Sequence, residues 1–238
     1  MKLDLNCDLG EGEPLARTRT LMRWISSANV ACGGHAGDVN TMAACVRLAK
    51  QYRVRLGAHP GPWNRRDFGR GPVQITAEEL ELLLLHQVGP LERLARAEKV
   101  RLHHIKLHGA LYHASEADDS LARRYLATVA RWWPGAKIYA RAGGTVARLA
   151  KGLDPEVWEE AFVDRAYQDN GSLVPRYKPG ALLTSVGAVQ RRVHTILDEG
   201  CVVTSSGRRL RVQPRSLCLH ADTPHAAQLA RVVARGLR

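Results

Sequence analysis

No stretch of this sequence comes near the roughly 20 consecutive apolar residues that a membrane helix requires, so no spanning helix is expected. The start, Met1-Lys2-Leu3-Asp4, has no charged segment followed by an apolar one, and a secretory leader is not expected either. Cysteine is scarce and poorly placed for pairing. Cys7, Cys32, Cys45, Cys201 and Cys218 are odd in number, scattered and free of Cys-x-x-Cys spacing. That argues against a zinc ribbon or a disulfide scaffold and for reduced thiols in a cytoplasmic protein. Gly-x-x-x-x-Gly-Lys-Ser/Thr occurs nowhere, which rules out a P-loop. Gly-x-Gly-x-x-Gly does not follow the first strand, which counts against a dinucleotide fold. Acids are in the minority, 23 against 35 lysines and arginines, for a formal charge of +12. Such a surplus raises nucleic acid or an acidic protein as partner. Yet only Arg208-Arg209-Leu210-Arg211 is dense, and RNP-like aromatic strands, zinc fingers and basic heptads are missing. The excess is read as a solvated surface, with nucleic acid and membrane set aside as partners.

What the chain does have is a repeating order of strand, then helix. Residues 2–9 form an apolar strand that runs into Asn6, Asp8 and Glu11 and stops at Gly10 and Gly12. Helical spacing follows over 15–25, then a strand over 26–31 that ends in Cys32-Gly33-Gly34-His35-Ala36-Gly37-Asp38. A helix to about 52, a strand over 54–58 and His59-Pro60-Gly61 come next, and Thr76 with Glu79 makes a capping box for a helix over 77–98. Further strands are predicted over 102–106, 137–140, 157–163 and 216–219, with helices over 119–132, 145–151 and 185–199 and a closing helix after Pro224. A long loop spans 166–180, and 201–212 reads as a hairpin. Without a linker or a shift in composition, one domain over 1–238 follows, either a closed barrel or a doubly wound sheet.

The polar residues decide between the two. Asp8, His35, His59, Lys106 with His108, Asp164 with Arg165, and His220 with Asp222 each follow a different strand at the same end. Only a barrel brings all those ends to one face, so the fold class is α/β, an irregular (β/α) barrel of about seven parallel strands. Asn6 and Asp8 alternate with Leu5 and Cys7 and should both point into the mouth, where an unpaired carboxylate is costly. His59 is held extended by Pro60. Lys106 ends an apolar strand, which suits anion binding or a base of depressed pKa. Asp38 is read equally as a helix cap or a site residue, Asp164 with Arg165 as a site pair or a local ion pair. Glu11 is assigned to a turn or cap, and Tyr112 and Tyr167 to packing. A metal, if present, would fall to Asp8, His35 and His59. No two of these ligands lie at His-x-x-x-His spacing, so folding would have to assemble the set.

Seven stretches together resemble the LamB/YcsF family, which comprises the A subunit of the prokaryotic 5-oxoprolinase. They are Asp4-Leu5-Asn6-Cys7-Asp8-Leu9-Gly10-Glu11, Ser27-Ala28-Asn29-Val30-Ala31-Cys32-Gly33-Gly34-His35-Ala36-Gly37-Asp38, Gly57-Ala58-His59-Pro60, Lys106-Leu107-His108-Gly109-Ala110-Leu111-Tyr112, Phe162-Val163-Asp164-Arg165-Ala166-Tyr167, Leu173-Val174-Pro175-Arg176 and His220-Ala221-Asp222-Thr223-Pro224. The resemblance implies a barrel related to polysaccharide deacetylases. It also implies ATP-dependent opening of 5-oxo-L-proline to L-glutamate with partner subunits B and C, Mg2+ accompanying the ATP. On that basis Asp8, His35, His59, Lys106 and His108 are the expected catalytic residues. Asn6, Asn29, Asp38, Asp164, Arg165, Arg176, His220 and Asp222 are expected to bind substrate or phosphate. The chain departs from the family pattern at Gly10-Glu11-Gly12-Glu13-Pro14, where Gly-Glu-Ser-Phe-Gly is usual, and Gly34 stands for a usual Phe. The residues alone leave two rivals open, a stand-alone metal-dependent deacetylase or amidohydrolase and a non-catalytic binder of small anions or nucleic acid.

Overall fold

Alternation along the first strand sets the architecture. In the computed structural model, which describes residues 3–237, β1 (Asp4–Leu9) turns Leu5, Cys7 and Leu9 outward against helices and Asp4, Asn6 and Asp8 inward. The sequence-based strand begins two residues earlier, and Lys2 lies outside the described residues. β1 is followed by α1 (Leu15–Met22), β2 (Ser27–Ala31), α2 (Val39–Tyr52), β3 (Arg55–His59), α3 (Ala77–Ala97) and β4 (Leu102–Ile105). Next come α4 (Gly109–Ala117), α5 (Asp119–Trp132), β5 (Lys137–Arg141), α6 (Thr145–Leu149) and β6 (Val157–Phe162). The chain then runs through α7 (Val186–Glu199), β7 (Cys201–Val203), β8 (Arg209–Arg211), β9 (Ser216–His220) and α8 (Ala226–Gly236).

Strands β1 to β6 and β9 close a parallel barrel in the order β1-β2-β3-β4-β5-β6-β9, and β9 pairs with β1 from Asp4↔Ser216 to Asp8↔His220. β7 and β8 form a separate antiparallel hairpin. The barrel is the expected one. One helix goes beyond the sequence reading: α4 starts directly after His108, at a glycine with φ +53°, in a stretch without a helical pattern of its own. No helix among the described residues is long and apolar enough to cross a membrane.

The apolar core lies between barrel and helices, where the outward residues of the strands meet leucines such as Leu80, Leu84 and Leu91 of α3. Each such side chain contributes about 1.5–3 kcal/mol by leaving water. The barrel interior is polar instead. At its base Asp4 accepts hydrogen bonds from Ser26, Ser27, Tyr139 and Ser216 and pairs with Arg55. One layer up, Asn6 donates to Glu160 at 3.0 Å and to Ser216 at 2.7 Å, and Asn29 donates to Asn6 at 2.8 Å. His104 faces Asn29 Oδ1 at 2.6 Å and stacks on Tyr139. A Cβ at Gly57 would lie 2.1 Å from the His104 ring, so β3 has room for that ring only with glycine there. The pairing register of β3 with β4 shifts between Leu56 and Gly57, at the same place.

Candidate active site

The C-terminal strand ends open into a cavity of about 410 Å3 whose floor includes Asp8, His59, Lys106 and His220. Lys106, buried just past the end of β4, lies 3.1 Å from Glu160, 3.3 Å from both Asp8 and Asn6, and 3.0 Å from Cys218 Sγ. Burial works against its charge, but Asp8, Cys218 and Glu160 outweigh it and hold the ammonium well above the usual lysine range. The alternative of a base with depressed pKa is thereby corrected: two carboxylates make Lys106 a fixed cation. Asp8 Oδ1 accepts from Asn29 at 2.7 Å, while Oδ2 faces His59 Nε2 at 3.4 Å and His220 Nε2 at 3.7 Å. Burial would raise the Asp8 carboxyl, yet His59 and Lys106 keep it well below the usual range.

His220 is aimed by Asp164. The Asp164 carboxylate is buried, meets His220 Nδ1 at 3.0 Å, and also accepts from the His220 N–H and the Thr223 hydroxyl. Burial raises Asp164, but the His220 charge and these hydrogen bonds prevail and bring it to about 2. Arg165 does not pair with its neighbour. It lines the cavity and donates to the Val174 carbonyl, and its buried Nε has no partner among the described residues. Arg176, carried in by the 166–180 loop, binds Asp222 through Nη1 at 3.0 Å and leaves Nη2 without a partner among them. Tyr112 also lines the cavity, and its buried OH likewise has no partner among the described residues.

Three expected binding residues take supporting places. Asn6 and Asn29 sit below the cavity floor and hold Asp8, Lys106 and Glu160 in position. Asp222 lies at the rim and is occupied by Arg70 and Arg176. Asp38 is exposed and caps α2, accepting from the Thr41 N–H and hydroxyl, outside the cavity lining. It is a cap.

The larger correction concerns Glu11. The turn is closed instead by Glu13, which accepts from the Gly10 and Glu11 N–H groups and from Thr18. Gly10 and Gly12, at φ +74° and +100°, bend the chain as only glycine does readily. Glu11 therefore turns inward, with Oε1 at 2.9 Å from His35 Nε2, 3.1 Å from His108 Nδ1 and 3.7 Å from His59 Nε2. Burial opposes ionisation, but the His108 and His35 contacts hold the carboxyl well below its usual range. Burial lowers His35 to about 4. Metal-capable donors among the described residues fall into two groups, Glu11, His35, His59 and His108, and separately Asp8, Cys218 and His220. The expected trio of Asp8, His35 and His59 is thus divided between them.

The whole chain, over residues 3–238, matches the LamB/YcsF family. It belongs to that family. Relatives named as the A subunit of 5-oxoprolinase include one from Erwinia tasmaniensis, 43% identical over 230 residues (97% of this chain and 93% of that one). Another, from Heliobacterium modesticaldum, is 39% identical over 240 residues, covering 100% and 94%. The solved lactam utilization protein of Thermus thermophilus superposes with a TM-score of 0.89 at 36% identity, covering 100% of this chain and 96% of that one. Within this LamB/YcsF chain, sequence reasoning missed Glu11, Glu160 and the free Tyr112 hydroxyl. Glu160 carried a signal: it shares the inward face of β6 with Trp158 and Phe162, where a carboxylate needs a buried cation.

Proposed function

We propose that this chain is the lactam-hydrolysing subunit of a 5-oxoprolinase, converting 5-oxo-L-proline to L-glutamate with ATP and two partner subunits, B and C. The observation that carries the reading is one cavity lined by Arg165, Arg176 and Tyr112 above a floor of Lys106 and Asp8, with the buried Arg165 Nε, Arg176 Nη2 and Tyr112 OH left without partners among the described residues. Those donors match a small molecule bearing a carboxylate, since guanidinium geometry suits that group. Relatives at 37–43% identity that bear the 5-oxoprolinase name support the same substrate.

A lactam amide is a poor electrophile; with its oxygen phosphorylated, a first water adds at the ring carbon, the C–N bond breaks as the nitrogen is protonated, and a second water releases phosphate from the resulting glutamyl phosphate. Lys106 then faces the developing negative charge as a buried cation. Asp8 and His220, 3.7 Å apart across the floor, position and deprotonate the attacking water, with Asp164 fixing the His220 tautomer. The chain lacks a P-loop, so in this reading a partner subunit supplies the phosphorylation, and Mg2+ arrives with ATP. The cytoplasm is the proposed compartment, which the five free, buried cysteines suit.

The test is coupled turnover with and without the partners. Glutamate should form only in the reconstituted complex, and Asp8→Asn and Lys106→Met should each lower its rate by at least about 100-fold. Near-normal glutamate formation by either variant removes its assigned role. Robust oxoproline-dependent ATPase in the isolated chain removes the division of labour.

A further inference from the structure

The histidine cluster above Asp8 has a hydrogen-bond arithmetic that does not close with protein atoms alone. His59 Nδ1 lies 2.8 Å from the Lys106 carbonyl oxygen, and His108 Nε2 lies 2.8 Å from the Phe68 carbonyl oxygen. A carbonyl only accepts, so each of those nitrogens carries the ring proton. With both rings neutral, the opposite nitrogens, His59 Nε2 and His108 Nδ1, are then bare lone pairs, and they face each other at 3.0 Å. Both also face Glu11 Oε1, at 3.7 and 3.1 Å, and an ionised carboxylate accepts only. His35 Nε2 joins the group at 2.9 Å from the same oxygen. Four donor atoms thus converge, all within 4.8 Å of one another, and with His59 and His108 neutral three of them have lone pairs and no proton to share. One extra proton would satisfy a single pair. A divalent cation satisfies all four at once.

We propose that Glu11, His35, His59 and His108 form a binding site for one divalent transition-metal ion of the zinc type. Bond lengths of about 2.0–2.1 Å to nitrogen and oxygen in a tetrahedral site put neighbouring donors about 3.3 Å apart. The four distances that link these atoms, 2.9, 3.0, 3.1 and 3.7 Å, bracket that value. Backbone carbonyls on the outer ring nitrogens, as His59 and His108 have here, orient imidazole ligands in such sites, while His35 Nδ1 is buried without a partner among the described residues. Three imidazoles and one carboxylate favour zinc, cobalt or nickel over magnesium or calcium, which prefer oxygen.

The rings are packed together before any ion arrives, and ligation of one ion by both His35 and His108 tilts their planes apart. His35 and His108 stack with centroids 3.5 Å apart and planes 1° from parallel. A Cβ at Gly61 would lie 2.3 Å from His35 Nδ1, and one at Gly69 would lie 2.8 Å from His35 Cβ. Both glycines are therefore needed to wall the stacked pair. His59 and His108 line the cavity, which gives an ion a way in. The site stands independently of the lactam reading, although an ion there would lie where it can polarise an oxygen of a bound substrate.

The experiment is metal titration of the full chain after dialysis against a chelator. Zinc should bind at one ion per chain, and cobalt should give the visible absorption of a four-coordinate site. Glu11→Gln and His108→Ala should weaken binding by more than the roughly 10–100-fold that loss of an outer-shell partner costs. His194→Ala, which removes an exposed histidine on α7, should leave it unchanged. Both cluster variants are compared with wild type by circular dichroism. Nitrogen-15 shifts of the His59 ring give a second reading, with the proton expected on Nδ1 in the zinc-treated protein. Substoichiometric zinc, equal weakening by His194→Ala, or a His59 proton on Nε2 would each overturn the proposal.

Discussion

Lys106 is the residue whose removal should cost most, because its ammonium lies between two buried carboxylates. With Lys106→Met, Asp8 and Glu160 face each other across the barrel without the ammonium between them, and Glu160 Oε1 already lacks a partner among the described residues. Breaking a buried pair in this way costs about 3–5 kcal/mol. Adding Glu160→Gln should restore part of that loss, so the double variant is less destabilised than the sum of the single ones. Urea denaturation of all four proteins measures it. Strict additivity would mean that Lys106 does not hold the two acids together.

Asp164 gives the pH dependence its sign. Folding lowers its pKa from the usual 3.8 to about 2 through His220 and Thr223, against the pull of burial. A depressed carboxyl contributes stability that is complete above its unfolded pKa and fades as pH falls through the folded one. The difference in stability between wild type and Asp164→Asn should therefore be on the order of 2 kcal/mol near neutral pH and shrink between about pH 4 and 2. A gap that stays constant over that window would contradict the hydrogen-bond account.

At the scale of elements, β3 and β4 are locked by one missing side chain. Gly57→Ala would push a methyl to within 2.1 Å of the His104 ring, displacing it from Asn29 and from Tyr139. Overpacking of this kind costs about 1–3 kcal/mol. His104→Ala should make the same substitution nearly free, which a thermal-melting comparison will show. Gly34 poses a similar constraint: a Cβ there would sit 2.5 Å from the Gln87 amide, which is bonded both ways to Gly61. Any side chain at this place would need both Gln87 and the Gly61 carbonyl, also 2.5 Å away, to move.

Elements and site differ in how far the sequence reveals them. Strands with period-two alternation, such as Asp4, Asn6 and Asp8 against Leu5, Cys7 and Leu9, announce both their extent and their inward face. Residues that end strands, such as His59 and Lys106, announce the mouth. Glu11 does not, because its direction depends on two left-handed glycines and on Glu13 closing the turn in its place. Nor does the split of ligands into two groups, since Glu11 and His108 lie on opposite sides of three strands and three helices in the chain and meet only on folding. The supporting roles of Asn6 and Asn29 depend likewise on Glu160 and His104 lying opposite them.

Taken whole, the molecule is a polar tube inside an apolar sleeve, closed by the pairing of its first strand with its last. β1 lies between β2 and β9, so Asp4 and Asp8 meet Ser216 and His220 only after some 210 further residues exist. During synthesis at roughly 5–20 residues per second, the opening strand therefore waits on the order of 10–40 seconds for its second neighbour. Until then Asp4 lacks Ser216, Asp8 lacks His220, and the leucines of α3 have only part of a barrel to cover. The nascent chain must keep a half-built, charged lumen open to water while its apolar outer surface looks for cover.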